Sequence, residues 1–506
     1  MAADVHTWAS EKQFEISAAD DRTDVAGPPL LSGAADALSL TWREAERSRE
    51  AHWKEASAWL PARLRRRAFL LARLLPVLPG SAVLELGAGS GLWTEHLSTV
   101  FAGQVSLTAA VFNQDLVRKA RSRNLPKTKV LCVEEFQSVF AAESFDYVVA
   151  TDMPADKLCS AALEVAFRCL KPGGQFLFFL RNQDFEPNFW TDAASGRGFT
   201  NVEVSPLEVI PPFSNGAGQA VGLILERTPL VRRFSHVVSV RGAKAGSAAN
   251  VDTPPVSLAT HPQLFGTVSV VVPCHNEESN IHRLVKTLLG MYGDYIHEIV
   301  MVDDNSTDQT AGMVAALARS EPRVKLVRRK PPAGVGRALR EGYAAATGKY
   351  ILSMDCDFIT LAPEFKGLFD AVAEGCDGAI GSRFSSESAL VGYPLLKVVC
   401  NRGYHLLLNI LLGLRVRDVS NNLKLYRADI LKNLDIQEDH FAANVETGLK
   451  PFLQHYRIRE VPTSWINRTA DMGKSSFRLL KVGPAYLRAL LRATWRCWWG
   501  QDRVSR

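Results

Sequence analysis

Tyr350-Ile351-Leu352-Ser353-Met354-Asp355-Cys356-Asp357 is the stretch that decides how this chain reads. It is an apolar strand that terminates in two acids separated by one residue. Side chains alternate faces along a strand, so positions i and i+2 point the same way. Two carboxylates facing one direction repel unless a cation neutralises them. Oxygen ligands of this kind suit Mg2+ or Mn2+, which keep several waters and bridge diphosphate oxygens. A metal held there stabilises the negative charge that builds on a departing nucleoside diphosphate. A D-x-D alone recurs by chance, so its neighbours decide its weight.

Two patterns precede it in order. Val271-Val272-Pro273-Cys274-His275-Asn276-Glu277-Glu278 is a strand ending in a proline, followed by a polar loop and a helix; Asn276 and Glu277 can cap that helix or meet a nucleoside. Val302-Asp303-Asp304-Asn305-Ser306-Thr307-Asp308 ends a second strand, where paired acids can hydrogen-bond a base N–H or a ribose hydroxyl, and where Ser306 or Asp308 can equally serve as an N-cap. Between these and the acids, Gly334-Val335-Gly336-Arg337-Ala338-Leu339-Arg340 opens a helix. Gly336 would let the backbone approach a nucleotide closely, while Arg340 can simply be a solvated helix face.

Further outward, short apolar runs alternate with helical segments. TVSVVVP (267–273), EIVMVDD (298–304), KLVRR (325–329) and KYILSMD (349–355) form one series. VLEL (83–86), VSLTAAV (105–111), KVLCV (129–133), FDYVVAT (145–151) and QFLFFL (175–180) form another. Both predict parallel sheets with crossover helices. Ala, Glu, Arg and Leu make 39–78 helical, broken at Pro61, Pro76 and Pro79. At 506 residues the chain exceeds one ordinary core, so two α/β domains are expected. The predicted layout is an irregular segment over 1–40, a first domain over 41–230, a flexible Ala/Gly/Ser/Pro-rich linker over 231–265, a second domain over 266–482 and a basic amphipathic helix over 483–506.

Composition narrows the function. Eight cysteines are scattered without a C-x-x-C pair, which favours neither a zinc site nor a disulfide framework. The first residues lack the apolar core of a signal peptide, and no run of 18 apolar residues occurs, so a cytoplasmic protein without a transmembrane helix is expected. Of the net charge of +6, residues 474–506 contribute +7 (eight Lys/Arg against Asp502), leaving −1 for the rest. A basic tail on a near-neutral body points to an anionic surface, and no nucleic-acid motif accompanies it. Beyond Pro484, Leu487, Leu490, Leu491, Trp495 and Trp498 recur at helical spacing beside Arg488, Arg492 and Arg496, the composition of a helix lying in a headgroup layer or packing on the body. The stretch 394–414, in which Lys397, Arg402 and His405 interrupt apolar residues, reads as an interfacial helix pair.

The second half resembles the family-2 glycosyltransferases of the GT-A fold, and within them the dolichol-phosphate mannose synthases and related polyprenyl-phosphate sugar transferases. Besides the patterns above, the resemblance rests on Gly381-Ser382-Arg383-Phe384, Asn401-Arg402-Gly403, Leu411 to Asp418, Asn421 to Arg427, Val461-Pro462, Arg468 and Gly473-Lys474-Ser475. It implies that Pro273, Asn276, Glu277, Asp303, Asp304, Gly336 and Cys356 meet the nucleotide-sugar and that Asp355 and Asp357 hold Mg2+ or Mn2+ and the diphosphate. Arg383, Arg402 and Arg468, with Lys474 and Ser475, would gather the donor and acceptor phosphates. The implied reaction is inverting transfer of a hexose from GDP-mannose or a UDP-hexose to a polyprenyl or dolichyl phosphate, by a protein peripheral to the membrane. Ile359 replaces a polar residue that can add a metal ligand, and Asn421-Asn422-Leu423-Lys424 replaces a Thr/Ser-Gly-Phe-Arg segment. His440 and Glu446 stand where the family carries an acid near the acceptor. A non-lipid acceptor in cell-envelope or glycan synthesis is the alternative.

The first half resembles class I S-adenosylmethionine-dependent methyltransferases, a Rossmann-like fold. The residues are Leu84-Glu85-Leu86-Gly87-Ala88-Gly89-Ser90-Gly91, Phe145-Asp146-Tyr147 and Leu170-Lys171-Pro172-Gly173-Gly174. Glu85, Gly87, Gly89 and Gly91 would then line a S-adenosylmethionine site. Val111 stands where such enzymes end the second strand in a ribose-binding acid, so Asn113 or Glu134 would have to substitute. An active methyltransferase and a noncatalytic scaffold both remain open. A methyltransferase joined to a sugar-nucleotide-binding module is the reading from another class.

Overall fold

The computed structural model describes residues 32–55, 60–75, 77, 80–101, 104–133, 140–153, 159–181, 187–207, 237–246, 257–385, 388, 390–391, 395–466 and 479–498. The apolar runs form strands, and the Ala- and Leu-rich stretches between them form covering helices. In the first unit, β1 (Ala82–Leu86), β2 (Ser106–Val111), β3 (Thr128–Cys132), β4 (Phe145–Met153) and β5 (Leu170–Arg181) are parallel. β6 (Phe199–Leu207) and β7 (Val237–Lys244) complete a sheet of order β3-β2-β1-β4-β5-β7-β6, with β7 antiparallel to both its neighbours. Chain order reverses between β1 and β4, which sets the ligand crevice of such a sheet at the C-terminal ends of its central strands. Helices α1 (Ser32–Glu55) and α2 (Leu60–Leu74) precede it, and α3 (Leu92–Val100), α4 (Gln114–Ser122), α5 (Cys159–Cys169) and α6 (Pro187–Ser195) connect it. Phe176, Phe178 and Trp190 are wholly buried in one core layer, Trp93, Leu97 and Phe179 in the other.

The second unit has the strands β8 (Val268–Cys274), β9 (Ile296–Asp303), β10 (Val324–Arg328), β11 (Tyr350–Ser353) and β12 (Gly378–Ser382), the short β13 (Leu390–Val391), β14 (Lys424–Arg427), β15 (Ile458–Pro462) and the short β16 (Trp465–Ile466). The main sheet runs β10-β9-β8-β11-β14-β12-β15, with β14 antiparallel to β11 and β12, and β13 pairs with β16. Its helices are α7 (Ile281–Tyr292), α8 (Thr310–Ser320), α9 (Val335–Ala345), α10 (Lys366–Ala373), α11 (Leu395–Leu412), α12 (Ala428–Lys432), α13 (Ala443–Leu453) and α14 (Leu479–Trp498). The core layer that α7 and α10 cover is aromatic, with Tyr292, Tyr295 and Phe369 in mutual ring contact.

Five expectations need correction. Residues 32–40, expected to be irregular, are the first part of α1. Val237–Lys244, within the stretch predicted as linker, is a strand, because its alternating Val237, Ser239 and Arg241 pair with β5 and β6. Residues 257–264 belong to the second unit: Leu258 and Leu264 are in its core. The predicted helix pair over 394–414 is the single helix α11, since the polar residues inside it are bonded locally instead of ending it; His405 Nδ1, for example, meets the Asn401 carbonyl at 2.8 Å. The last helix begins at Leu479, and its apolar face divides: Leu490 is buried against α11 and α13, while Leu487, Leu491, Trp495 and Trp498 are exposed. Arg492 and Arg488 pair with Glu438 at 2.9 and 3.5 Å and Arg496 with Asp435 at 3.5 Å, so the basic flank binds the body.

Gly448 lets α13 press on the turn that precedes β14: a Cβ there would collide with the carbonyl oxygen of Val419. Alanine favours a helix over glycine by about 1 kcal/mol, whereas overpacking costs about 1–3 kcal/mol. Gly448→Ala is therefore expected to lose up to about 2 kcal/mol net, seen as a lower urea midpoint at unchanged slope.

Candidate active site

The C-terminal ends of β8 and β11 open on a cavity of about 470 Å³. Pro273, Cys274, His275 and Glu277 line it from the loop after β8, Asp304 from the loop after β9, Asp355, Cys356 and Asp357 from the turn after β11, and Arg383 from the end of β12. Its far wall is Lys397, Cys400, Asn401 and Tyr404 of α11 with Val482, Tyr486 and Leu487 of α14.

The two acids lie beyond the strand. β11 ends at Ser353, and Asp355 and Asp357 sit in the turn leading into a 3-10 helix (Phe358–Phe365). The turn, and not strand alternation, brings both carboxylates to the cavity. Asp355 is held by a relay: Tyr343 Oη donates to Ser353 Oγ (2.9 Å), Ser353 Oγ to Asn422 Oδ1 (2.9 Å), and Asn422 Nδ2 to Asp355 Oδ1 (2.8 Å). Asn422, whose segment departs from the family pattern, is thus a positioning residue for the first acid.

Arg383 is aimed by a buried carboxylate. Its Nε and Nη2 donate to Asp418 Oδ2 and Oδ1 at 2.7 and 2.9 Å, and its backbone N–H to Oδ2 at 3.1 Å. Burial alone would push the Asp418 carboxyl up; the Arg383 charge and its hydrogen bonds outweigh that and hold it at about 2. Beside it, Lys424 is wholly buried, donating to the Asn444 carbonyl (2.8 Å) and Thr447 Oγ1 (2.9 Å). Burial brings its ammonium down to about 7, against the upward pull of Asp355 and Asp418.

Several predicted residues stand elsewhere. Asn276 does not line the cavity: its Oδ1 accepts from the Thr307 N–H (2.8 Å), tying two loops together. Asp303 is buried beneath the loop after β9, accepting from the Ser306 N–H at 3.1 Å. Asp304 reaches the cavity but is already paired with Arg329 and accepts from the Gly334 N–H at 2.7 Å. Gly336 serves packing, since a Cβ there would strike the Glu438 carbonyl oxygen; Val335 is the neighbour that reaches the cavity. Arg340 is no solvated face but donates to the Ile436 carbonyl at 3.0 Å and the Glu438 carbonyl at 3.2 Å.

Arg402 also fails to line the cavity. Its Nη1 donates to the Arg417 carbonyl at 2.9 Å and its guanidinium covers Phe384. The cavity face of α11 is centred on Lys397, Cys400, Asn401 and Tyr404, spaced i, i+3, i+4 and i+7, with Gly403 at its edge, and position 402 falls off it. Lys397 is the cation sequence reasoning missed, although that spacing was legible. Burial, then Arg383, lowers its pKa. Glu446 accepts from the Gln437 and Glu438 N–H groups at 2.9 and 2.7 Å and pairs with Lys450, while His440 is exposed outside the cavity. Arg468, Lys474, Ser475 and Glu134 lie outside the described residues.

In the first unit, Gly87, Gly89 and Gly91 all have positive φ (67°, 58° and 77°), as the tight turn after β1 demands. Glu85 is buried beneath that turn, and burial pushes its carboxyl up to about 7. The space over the turn is filled by α1: a Cβ on Gly87 would meet Trp42 Cζ3 at 3.2 Å, and one on Gly89 would meet Arg49 Nη2 at 2.5 Å and Glu50 Oε1 at 2.7 Å. S-adenosylmethionine does not fit these residues as they stand.

Comparison with known proteins agrees with this division. Residues 269–435 match the family model of glycosyl transferase family 2, and residues 83–174 match a methyltransferase domain model. The chain thus carries a glycosyl transferase family 2 domain, preceded by a methyltransferase domain. It is 27% identical over 219 residues to a polyprenol monophosphomannose synthase of Mycolicibacterium smegmatis, a match covering 41% of this chain and 80% of that protein. It is 26% identical over 221 residues to a dolichol-phosphate mannosyltransferase of Pyrococcus furiosus, covering 42% of this chain and 62% of that one. A solved glucosyl-3-phosphoglycerate synthase from Mycobacterium tuberculosis aligns over 45% of this chain and 79% of its own at 19% identity and a TM-score of 0.37, too remote to bear on substrate.

Removing the partner of a buried charge costs about 3–5 kcal/mol, so Asp418→Asn should destabilise the second unit by about 3 kcal/mol at neutral pH. The Asp418 carboxyl is lowered from 3.8 to about 2 in the folded protein, so its contribution is complete above 3.8 and lost as pH falls through about 2. Urea midpoints of wild type and Asp418→Asn should therefore converge as pH drops across that window.

Proposed function

We propose that this protein transfers a hexose, with mannose favoured, from a nucleotide-diphospho-sugar to a polyprenyl or dolichyl phosphate at a membrane surface. The observation that carries this reading is one cavity lined by Asp355 and Asp357 on one side and by Lys397, Tyr404, Tyr486 and Leu487 of α11 and α14 on the other. Outside it, Leu396, Val399, Leu406 and Ile410 of α11 and Leu491, Trp495 and Trp498 of α14 expose their side chains, Trp495 and Trp498 by 61% and 65%. Two packed helices with apolar outward faces beside a cavity that holds Arg383 and Lys397 fit a prenyl chain in the bilayer and its phosphate inside the protein. Among the described residues, no helix is long and apolar enough to cross a membrane. The names of the two curated relatives point to the same acceptor class.

Asp355 and Asp357 would hold a divalent cation, Mg2+ or Mn2+. Both carboxylates line the cavity, and oxygen donors of this kind suit these ions. When bound, the ion neutralises charge on the departing diphosphate. Arg383, fixed by Asp418, and Lys397 would face the phosphates of donor and acceptor. A phosphate monoester is already an anionic nucleophile, so no strong general base is required and positioning does the work. An acceptor oxygen bonds to the anomeric carbon from one face; the bond to the nucleoside diphosphate breaks on the other and its electron pair leaves with the diphosphate, giving inversion.

The test is transfer of label from GDP-mannose and UDP-glucose to polyprenyl phosphate in anionic vesicles. Organic-soluble product is expected, lost on chelation with EDTA. Lys397→Ala and Asp357→Ala should each lower the rate about 100-fold or more, as when a charge-stabilising group is removed. Arg402→Ala should stay within about threefold, having no place in the cavity. Transfer to a soluble acceptor alone would refute the lipid reading, and equal losses in Arg402→Ala and Lys397→Ala would refute the assignment of Lys397.

A further inference from the structure

The first unit has an occupant in its crevice, and that occupant is its own helix. The C-terminal ends of β1, β2 and β4 surround the switch point where a doubly wound sheet binds its ligand. α1 contacts all three. Glu46 Oε1 accepts from the Gly89 N–H (3.2 Å), and its Oε2 accepts from the N–H groups of Phe112 (3.0 Å) and Asn113 (2.8 Å). Glu50 Oε1 accepts from the Ser90 N–H at 2.9 Å. Trp42 stacks flat on Phe112, with centroids 4.7 Å apart and planes 19° apart. Arg49 Nη1 donates to the Thr151 carbonyl at 3.2 Å, and Trp53 Nε1 to Asp152 Oδ2 at 2.9 Å. Trp42, Glu46 and Arg49 are all buried, although each is on a helix outside the sheet.

These groups take up the backbone donors of the crevice as a ligand would, the N–H groups of Gly89, Ser90, Phe112 and Asn113, while Ser90 Oγ and Arg49 Nη2 stay buried without a hydrogen bond. A turn with free N–H donors and left-handed glycines favours a carboxylate, and Glu46 and Glu50 supply one each. An aromatic ring lies on the ring after β2, where a heterocycle would stack. A cation sits at the end of β4. An aromatic ring, a carboxylate and a cation are also the parts of an adenosine-bearing amino acid.

We propose that α1 is an internal ligand of the first unit, seated in the crevice in place of an adenosine-bearing amino acid and in competition with it. Binding of such a ligand then requires α1 to leave. A competent state populated at about 1% raises the apparent Kd about 100-fold, so a seated helix makes the domain nearly silent toward its ligand without altering the crevice itself. Anything that draws α1 away would open the site.

Calorimetric titration of the full chain with S-adenosylhomocysteine tests this, comparing wild type with Trp42→Ala/Glu46→Ala. The double variant is expected to bind about tenfold more tightly or better. A synthetic peptide copying residues 41–55 should reverse that gain, and the same peptide with alanine for Glu46 should not. Equal affinity in both proteins, or binding to neither, would overturn the proposal, since exclusion would then not be the work of α1. Should the double variant fail to fold by circular dichroism, Glu46→Gln keeps the volume and loses the charge, and a gain of about threefold is expected. No gain there would overturn it equally.

Discussion

The wholly buried carboxylate of Asp418 is the interaction on which the rest of the glycosyltransferase site depends. It takes the Arg383 guanidinium in a two-pronged pair and the Arg383 N–H as well, while its own N–H is held by Glu460 at 2.8 Å. A charge out of water persists only if nearly every lone pair is used. That demand joins the end of β12 to the turn before β14 and to β15. Once the turn is set, the chain from Ser420 to Lys424 has little freedom. Asn421 Nδ2 is committed to the Gly381 carbonyl (2.8 Å), Asn422 to Asp355, and Lys424 to α13. Asp355 is thus positioned from a buried ion pair through one asparagine.

The same physics works in the first unit with a different result. Glu46 is a buried carboxylate that accepts three backbone N–H groups, and burial raises its pKa all the same. It takes the Gly89 N–H of the glycine-rich turn, while Glu50 takes the Ser90 N–H beside it. At the other end of the crevice, Asp152 pairs with Arg67 at 2.6 Å. Burial would raise the pKa of that acid, yet Arg67 and Trp53 bring it below its ordinary value. The backbone donors and the acid that would greet a ligand are engaged by the chain itself.

Much of the fold was legible because buried parallel strands write themselves as apolar runs: VLEL, FDYVVAT, TVSVVVP and EIVMVDD fall on β1, β4, β8 and β9. Strands with mixed faces were harder. Val237–Lys244 alternates apolar and polar residues beside Ala, Gly and Ser, and reads as linker until its partners β5 and β6 are known. At the site, residue types were more legible than directions. Asp355, Asp357 and Arg383 line the cavity, but Arg402 turns to a carbonyl and Lys397 takes the inward face, a difference of helical phase that motif order does not carry. Asp303 and Asp304 look interchangeable in sequence, and one backbone step puts one under the loop and the other at the cavity. The seat of α1 was invisible for another reason. Trp42, Glu46, Arg49 and Trp53 read as an ordinary amphipathic helix, and only the tertiary contact gives their spacing meaning.

A photoreactive polyprenyl phosphate, cross-linked to the full chain in vesicles and mapped by mass spectrometry, tests the central claim most directly. The account predicts adducts on the cavity faces of α11 and α14, around Cys400, Tyr404, Tyr486 and Leu487, suppressed by excess unlabelled lipid phosphate. Adducts confined to other elements, or undiminished by competitor, would contradict it.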